Sequence, residues 1–195
     1  MNDSVIEVAR RSLAGLVGAR WRYAGRACDI VWLGFGPVIE LPDSRGGTRE
    51  VAEFALHLQG PWRIYLGDER LTGRSDLHLP RPGWTGEFDW DVQGANRFDV
   101  RAAELTTRLD GTRTVVKSVE VDADGDLTVF LSDGFRIEAR CGGSGREDWR
   151  FFRPGNDDHV VMPSGSWTSQ DILVRLGTPA DFPLFSRSDD LKSRS

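Results

Sequence analysis

The sequence predicts an α+β fold, an antiparallel curved sheet or partly open barrel with two packed helices. Three observations predict it. Apolar residues recur at helical spacing in two stretches, 4–17 and 96–109. Residues 114–139 alternate apolar and polar side chains in runs separated by Asp124-Gly125 and Asp133-Gly134, a pattern of hairpins. Glu53 to Leu66, EFALHLQGPWRIYL, alternates most sharply of all.

Ser4 to Val17 reads as the first helix. Ser4 and Glu7 have capping-box spacing, Val5, Ala9, Leu13 and Leu16 form one stripe, and Gly18 is placed to stop it. Trp21 and Tyr23 then share one face of a short strand, with a turn at Ala24-Gly25. Ala27 to Phe35 is almost continuously apolar, as in a strand covered on both faces, and the first helix is the obvious cover. A polar turn over Pro42 to Arg49 leads into the 53–66 stretch. There Phe54, Leu56, Leu58, Trp62, Ile64 and Leu66 face one way, and Glu53, His57, Gln59 and Arg63 the other. Pro61 has no amide hydrogen to give a ladder, so an edge or a bulge is expected at Gly60-Pro61.

Gly67 to Ala95 has weak periodicity and reads as a long loop with a short extra strand at 87–92. Loops of this length are often functional, and Trp84, Phe88 and Trp90 interleave there with Glu87, Asp89 and Asp91. Asn96 or Asp99 starts the second helix, whose stripe is Phe98, Ala102, Leu105 and Leu109. The following strands present Val115, Val119 and Val121, then Leu127, Val129 and Leu131, then Phe135, Ile137 and Ala139. Trp149 to Phe152 and His159 to Met162 extend the meander. One domain over residues 1–165 is expected, followed by a C-terminal arm over 166–195 whose last ten or so residues are disordered.

Composition narrows the function classes. The chain of 195 residues carries a net charge of −5, which offers no general attraction to nucleic acid or an anionic membrane. No apolar run has the length of a signal peptide or a bilayer span, and two cysteines make no disulfide framework. A cytoplasmic protein is expected. Gly34 and Gly36 lack the third glycine of a dinucleotide fingerprint, and no P-loop or nucleophile elbow is present, so no cofactor is expected.

Two motifs suggest chemistry and fail on spacing. Asp122, Asp124 and Asp126 hint at a calcium loop, but glycine stands fourth and the flanks are strands, so a hairpin turn is expected. Cys141 and Arg146 resemble a Cys-x5-Arg phosphate cradle, one residue short and without a following helix. The three histidines, His57, His78 and His159, lack metal-site spacing, and no metal is expected.

The candidate binding residues are therefore His57, Gln59 and Arg63 on the polar face, with Asp76, Trp84, Trp90, Trp149 and Arg150. A structural reading competes with this one: Arg63 pairs with Glu53 or Asp76 in a buried network, and Trp149 stacks on Arg150. The stretch Leu56-His57-x-Gln59-x-x-Trp62-Arg63-Ile64, with Asp76 and Glu147 to Arg150, resembles an uncharacterised family of bacterial proteins typical of GC-rich genomes. That resemblance implies a single cytosolic domain and no particular activity.

The leading expectation for function is a non-catalytic binding or regulatory protein that recognises a protein partner through the 67–95 loop. Trp84, Phe88 and Trp90 would be its anchors. The alternative is a small-molecule-binding protein or enzyme using the polar face, with Arg63 holding an anion and His57 as acid, base or ligand contact. A homo-oligomer joined through the C-terminal arm is the third.

Overall fold

A computed structural model describes residues 5–43, 46–142, 147–156 and 159–163. Its described strands form two five-stranded antiparallel sheets with two helices, an α+β architecture that does not close into a barrel. The first sheet has the order β1 (Trp21–Ala27), β2 (Ile30–Pro42), β3 (Thr48–Leu58), β9 (Glu147–Phe152), β10 (His159–Pro163). The second has the order β5 (Glu69–Gly73), β4 (Trp62–Leu66), β8 (Phe135–Ala139), β7 (Leu127–Leu131), β6 (Val116–Val121).

The stretch 53–66 is thus not one strand. It ends β3 in the first sheet and supplies β4 to the second, and Gln59-Gly60-Pro61 is the joint between them. Proline's missing donor, expected to mark an edge or a bulge, instead falls in the joint between two strands. The joint spans three residues and Trp62 faces the core as Leu58 does, so Phe54, Leu56, Leu58, Trp62 and Ile64 are all buried. Leu66 is only half-buried. The inward residues of both sheets form one core cluster, joined for example by the edge-to-face contact of Trp21 and Phe135 at 5.5 Å.

The helices are α1 (Val5–Leu13), continued by a 3-10 turn over Ala14–Leu16, and α2 (Arg97–Asp110). Ala9, Leu13 and Leu16 are buried, and Gly18 takes the positive φ of 84° that ends the element. The expected cap at Ser4 lies outside the described residues. The first helix packs on β6 and β10 rather than over β2, and α2 packs on β1. Asn96 is the cap of α2, its side chain accepting the Asp99 amide at 2.9 Å.

Three local expectations are corrected. The first turn is at Cys28-Asp29, and β1 runs through Ala24-Gly25. A bulge between Trp21 and Tyr23 puts them on opposite faces, Trp21 in the core and Tyr23 outside. Tyr23 lies over Gly34, where an added Cβ would sit 2.3 Å from the ring, and its hydroxyl accepts the Ala52 amide at 3.1 Å. Trp149 to Met162 do not extend the second hairpin series; β9 returns to pair with β3. The Asp124-Gly125 and Asp133-Gly134 hairpins form as expected, and the Asp122 carboxylate holds the first by accepting the amides of Asp124 and Asp126. The 166–195 arm lies outside the described residues.

Candidate binding site at the joint between the sheets

The joint is held by backbone. The amides of Gln59 and Gly60 both donate to the Asp148 carbonyl, at 2.9 and 2.8 Å, and Arg140 N–H donates to the Pro61 carbonyl at 2.8 Å. Asp148 comes so close that a Cβ on Gly60 would lie 2.3 Å from its Oδ1. Two cavities open on either side of this joint and share Pro61 and Arg74 in their walls.

The first cavity, of about 390 Å³, lies against the second sheet and is strongly basic. Arg63, Arg70, Arg74 and Arg140 line it with Ser75 and His78, opposed by Glu138 alone. Arg140 is engaged by Asp126 at 2.9 Å and Glu138 at 3.4 Å, and those carboxylates raise its pKa further. Arg74 donates to the Gln59 carbonyl and pairs with Asp29 at 3.3 Å. Arg63 and Arg70 are exposed and form no ion pair among the described residues. The expected pairing of Arg63 with Glu53 or Asp76 is absent: Glu53 belongs to the other sheet and meets Arg153 at 3.6 Å.

The second cavity, of about 410 Å³, is lined by Asp29, Gln59, Gly60, Arg74, Glu147 and Asp148. Gln59 Nε2 donates to Glu147 Oε1 at 2.8 Å, and Arg150 binds both oxygens of the same carboxylate at 3.0 and 2.5 Å. Burial is the first cause that raises the Asp148 carboxyl. Its Oδ2 accepts the Gly142 amide at 3.0 Å. Burial also pushes the neighbouring Cys141 thiol up to about 12, helped by Asp148 and Asp126, so Cys141 is no thiolate nucleophile at neutral pH.

The expected polar face divides accordingly. His57 remains on the first sheet, beside Arg150 in register and edge-to-face with Phe152 at 4.7 Å. Burial, then the charges of Arg150 and His159, lower its pKa to about 4, which leaves a weak base with little proton affinity near neutrality. Gln59 and Arg63 border the second and first cavities respectively. Arg150 supports the second cavity through Glu147.

Two candidates are structural. Trp149 is fully buried, its indole N–H donating to the Gly125 carbonyl at 2.9 Å; alternation along β9 sends it inward while Arg150 points outward, so they do not stack. Asp76 is buried and accepts the Thr72 hydroxyl at 2.9 Å and the Gly73 amide at 3.2 Å, which fixes the 3-10 turn over Arg74–His78.

The 67–95 segment is less irregular than expected in its first half, which forms β5 and that turn. The strand expected at 87–92 does not form. Residues 80–96 instead make a loop closed at its neck, where Arg81 N–H donates to Ala95 and Arg97 N–H to Leu79, at 2.9 and 2.8 Å. Trp84 and Trp90 are half-buried in it, Trp84 under the Arg81 guanidinium at 5.4 Å and Trp90 against His78 at 5.1 Å. Arg70, Arg74, Arg140 and Asp29 had no sequence signal, since separate turns and strands bring them to the joint, whereas Glu147 was marked only by the Glu147 to Arg150 element of the resemblance. Among the described residues, no group of three His, Cys, Asp or Glu side chains is arranged to hold a metal, and no helix is long and apolar enough to cross a membrane. Comparison with protein-family models, with curated proteins and with solved structures returned no match.

Proposed function

We propose that the protein is a non-catalytic binding protein whose ligand presents a compact anionic group to the arginine-lined cavity. One observation carries this reading: Arg63 and Arg70 enter a concave site with no carboxylate partner among the described residues, beside Arg74 and Arg140. Guanidinium groups match the oxygens of phosphate or carboxylate through paired donors, so this cluster favours an oxyanion over a neutral ligand. Beside the site, Cys141 keeps its proton and supplies no thiolate. The two free cysteines, Cys28 and Cys141, suit a reducing cytoplasm.

Isothermal titration of the full chain with inorganic phosphate, sulfate and citrate tests the reading. Binding of at least one anion is expected, weakened about tenfold or more by Arg63→Ala with Arg70→Ala and weakened by added salt. No heat with any of the three anions would overturn it.

A protein partner is a second reading, favoured by the closed 80–96 loop. Val92 there is 51% exposed, and Leu79 at its neck 38%, beside the half-buried Trp84, Phe88 and Trp90. Cross-linking in native lysate with and without Trp84→Ala and Val92→Asp tests it, and an unchanged pattern would end it.

A further inference from the structure

We infer that the ligand is a phosphorylated polyol, its phosphate among Arg63, Arg70 and Arg140 and its hydroxyls directed across Pro61 to Asp29, Glu147 and Asp148. This rests on the anion-binding reading and extends it to the second cavity. The two cavities share Pro61 and Arg74, so a single extended ligand can contact both. Their chemistry differs sharply. The first offers two guanidinium groups without carboxylate partners, Arg63 and Arg70, which suits a group of two negative charges better than one of a single charge.

The second offers three carboxyl acceptors, two of them already matched by arginines. Asp29 is paired with Arg74 at 3.3 Å, and Glu147 with Arg150 at 2.5 Å. Asp148 forms no ion pair among the described residues; its Oδ2 accepts the Gly142 amide at 3.0 Å, and burial is the first cause that raises its pKa. A carboxylate has about four lone-pair sites, so each keeps acceptor capacity beyond the bonds it makes here. Acceptors whose charge is largely offset by arginines favour neutral hydroxyl donors over an ammonium group. Gln59, with Nε2 on Glu147, holds that carboxylate in place at the cavity wall.

Calorimetric titration of the full chain with inorganic phosphate, glycerol 3-phosphate, ribose 5-phosphate and glucose 6-phosphate separates the two levels of the reading. The tightest sugar or glycerol phosphate is expected to bind at least about tenfold more tightly than inorganic phosphate. In Glu147→Gln, whose partner Arg150 lies outside the basic cavity, that advantage should fall below about threefold while inorganic phosphate keeps its affinity. If phosphate binds and no phosphorylated polyol is at least tenfold tighter, this inference is overturned and the anion reading stands. An advantage that survives both Asp29→Asn and Glu147→Gln overturns the placement of the hydroxyls. If nothing binds, the anion reading itself fails.

Discussion

Arg26 and Asp99 form a two-point ion pair, Nε to Oδ1 at 2.7 Å and a terminal nitrogen to Oδ2 at 3.0 Å, with both side chains almost fully buried. The pair ties β1 to the first turn of α2. The same guanidinium donates to the carbonyls of Cys28 and Val92, at 3.2 and 3.1 Å, and Asp99 accepts the Gly94 amide at 2.6 Å. One pair thereby fixes the first hairpin, the end of the 80–96 loop and the helix start. Asp99→Ala leaves the buried guanidinium with only the exposed Asp91 carboxylate at 3.8 Å and should cost about 3–5 kcal/mol in urea unfolding. Arg101→Ala, which breaks the exposed Arg101–Glu104 pair at 2.9 Å, should cost no more than about 0.5 kcal/mol. Equal losses for the two variants would contradict the argument.

Asp76 gives a sharper division between structure and binding. Its Oδ2 satisfies the Thr72 hydroxyl and the Gly73 amide, both buried. Asp76→Ala should therefore destabilise by about 1–3 kcal/mol, the cost of orphaned buried donors. Arg63→Ala removes an exposed side chain without an ion pair and should leave the melting temperature nearly unchanged while weakening anion binding. A large drop in melting temperature for Arg63→Ala would make Arg63 structural.

The sequence made the core legible because the core obeys local periodicity. Ala9, Leu13 and Leu16 recur at helical spacing, as do Phe98, Ala102, Leu105 and Leu109, while Leu127, Val129, Leu131, Phe135, Ile137 and Ala139 alternate; all are buried. The division of 53–66 between two sheets was hidden for the same reason: three joint residues preserve the alternation, so the pattern is blind to the break. The bulge that turns Tyr23 away from Trp21 has no compositional mark either. Of the site, Arg63 and Gln59 could be named as polar positions on an otherwise apolar stretch. Arg70, Arg74 and Asp29 could not, because their proximity comes from long-range strand pairing.

His57 should make stability fall in mild acid. Its pKa drops from an ordinary 6.5 to about 4 in the folded chain, so between these values the unfolded chain binds the proton that the folded chain refuses. Stability is then fully present above pH 6.5 and is lost as pH falls toward 4, by about 3 kcal/mol from this residue. The difference between wild type and His57→Gln in urea midpoints across that range isolates the effect. Parallel pH curves for the two proteins would remove the burial argument.

The two cysteines should differ in reactivity. Cys28 is exposed in the first turn, whereas Cys141 is half-buried with its thiol pushed up to about 12 beside Asp148. At pH 8 a thiol reagent should modify Cys28 promptly and Cys141 only after denaturant is added. Fast labelling of Cys141 in the folded chain would restore it as a nucleophile and weaken the non-catalytic reading.

Gly60 connects the fold to the site. An added Cβ would lie 2.3 Å from Asp148 Oδ1 and 2.9 Å from its Cβ, so Gly60→Ala must push β9 away from the joint. Overpacking of this kind costs about 1–3 kcal/mol. Both cavities border Pro61, and Asp148 lines the second, so the same displacement should weaken ligand binding as well as stability. Asp148→Ala removes the nearest clashing atom and keeps the Cβ, so Gly60→Ala with Asp148→Ala should cost less than the two changes added together. Urea unfolding of the four proteins in that cycle measures the coupling. Strict additivity would show that Gly60 and Asp148 do not press on one another, and that the joint is held by its backbone hydrogen bonds alone.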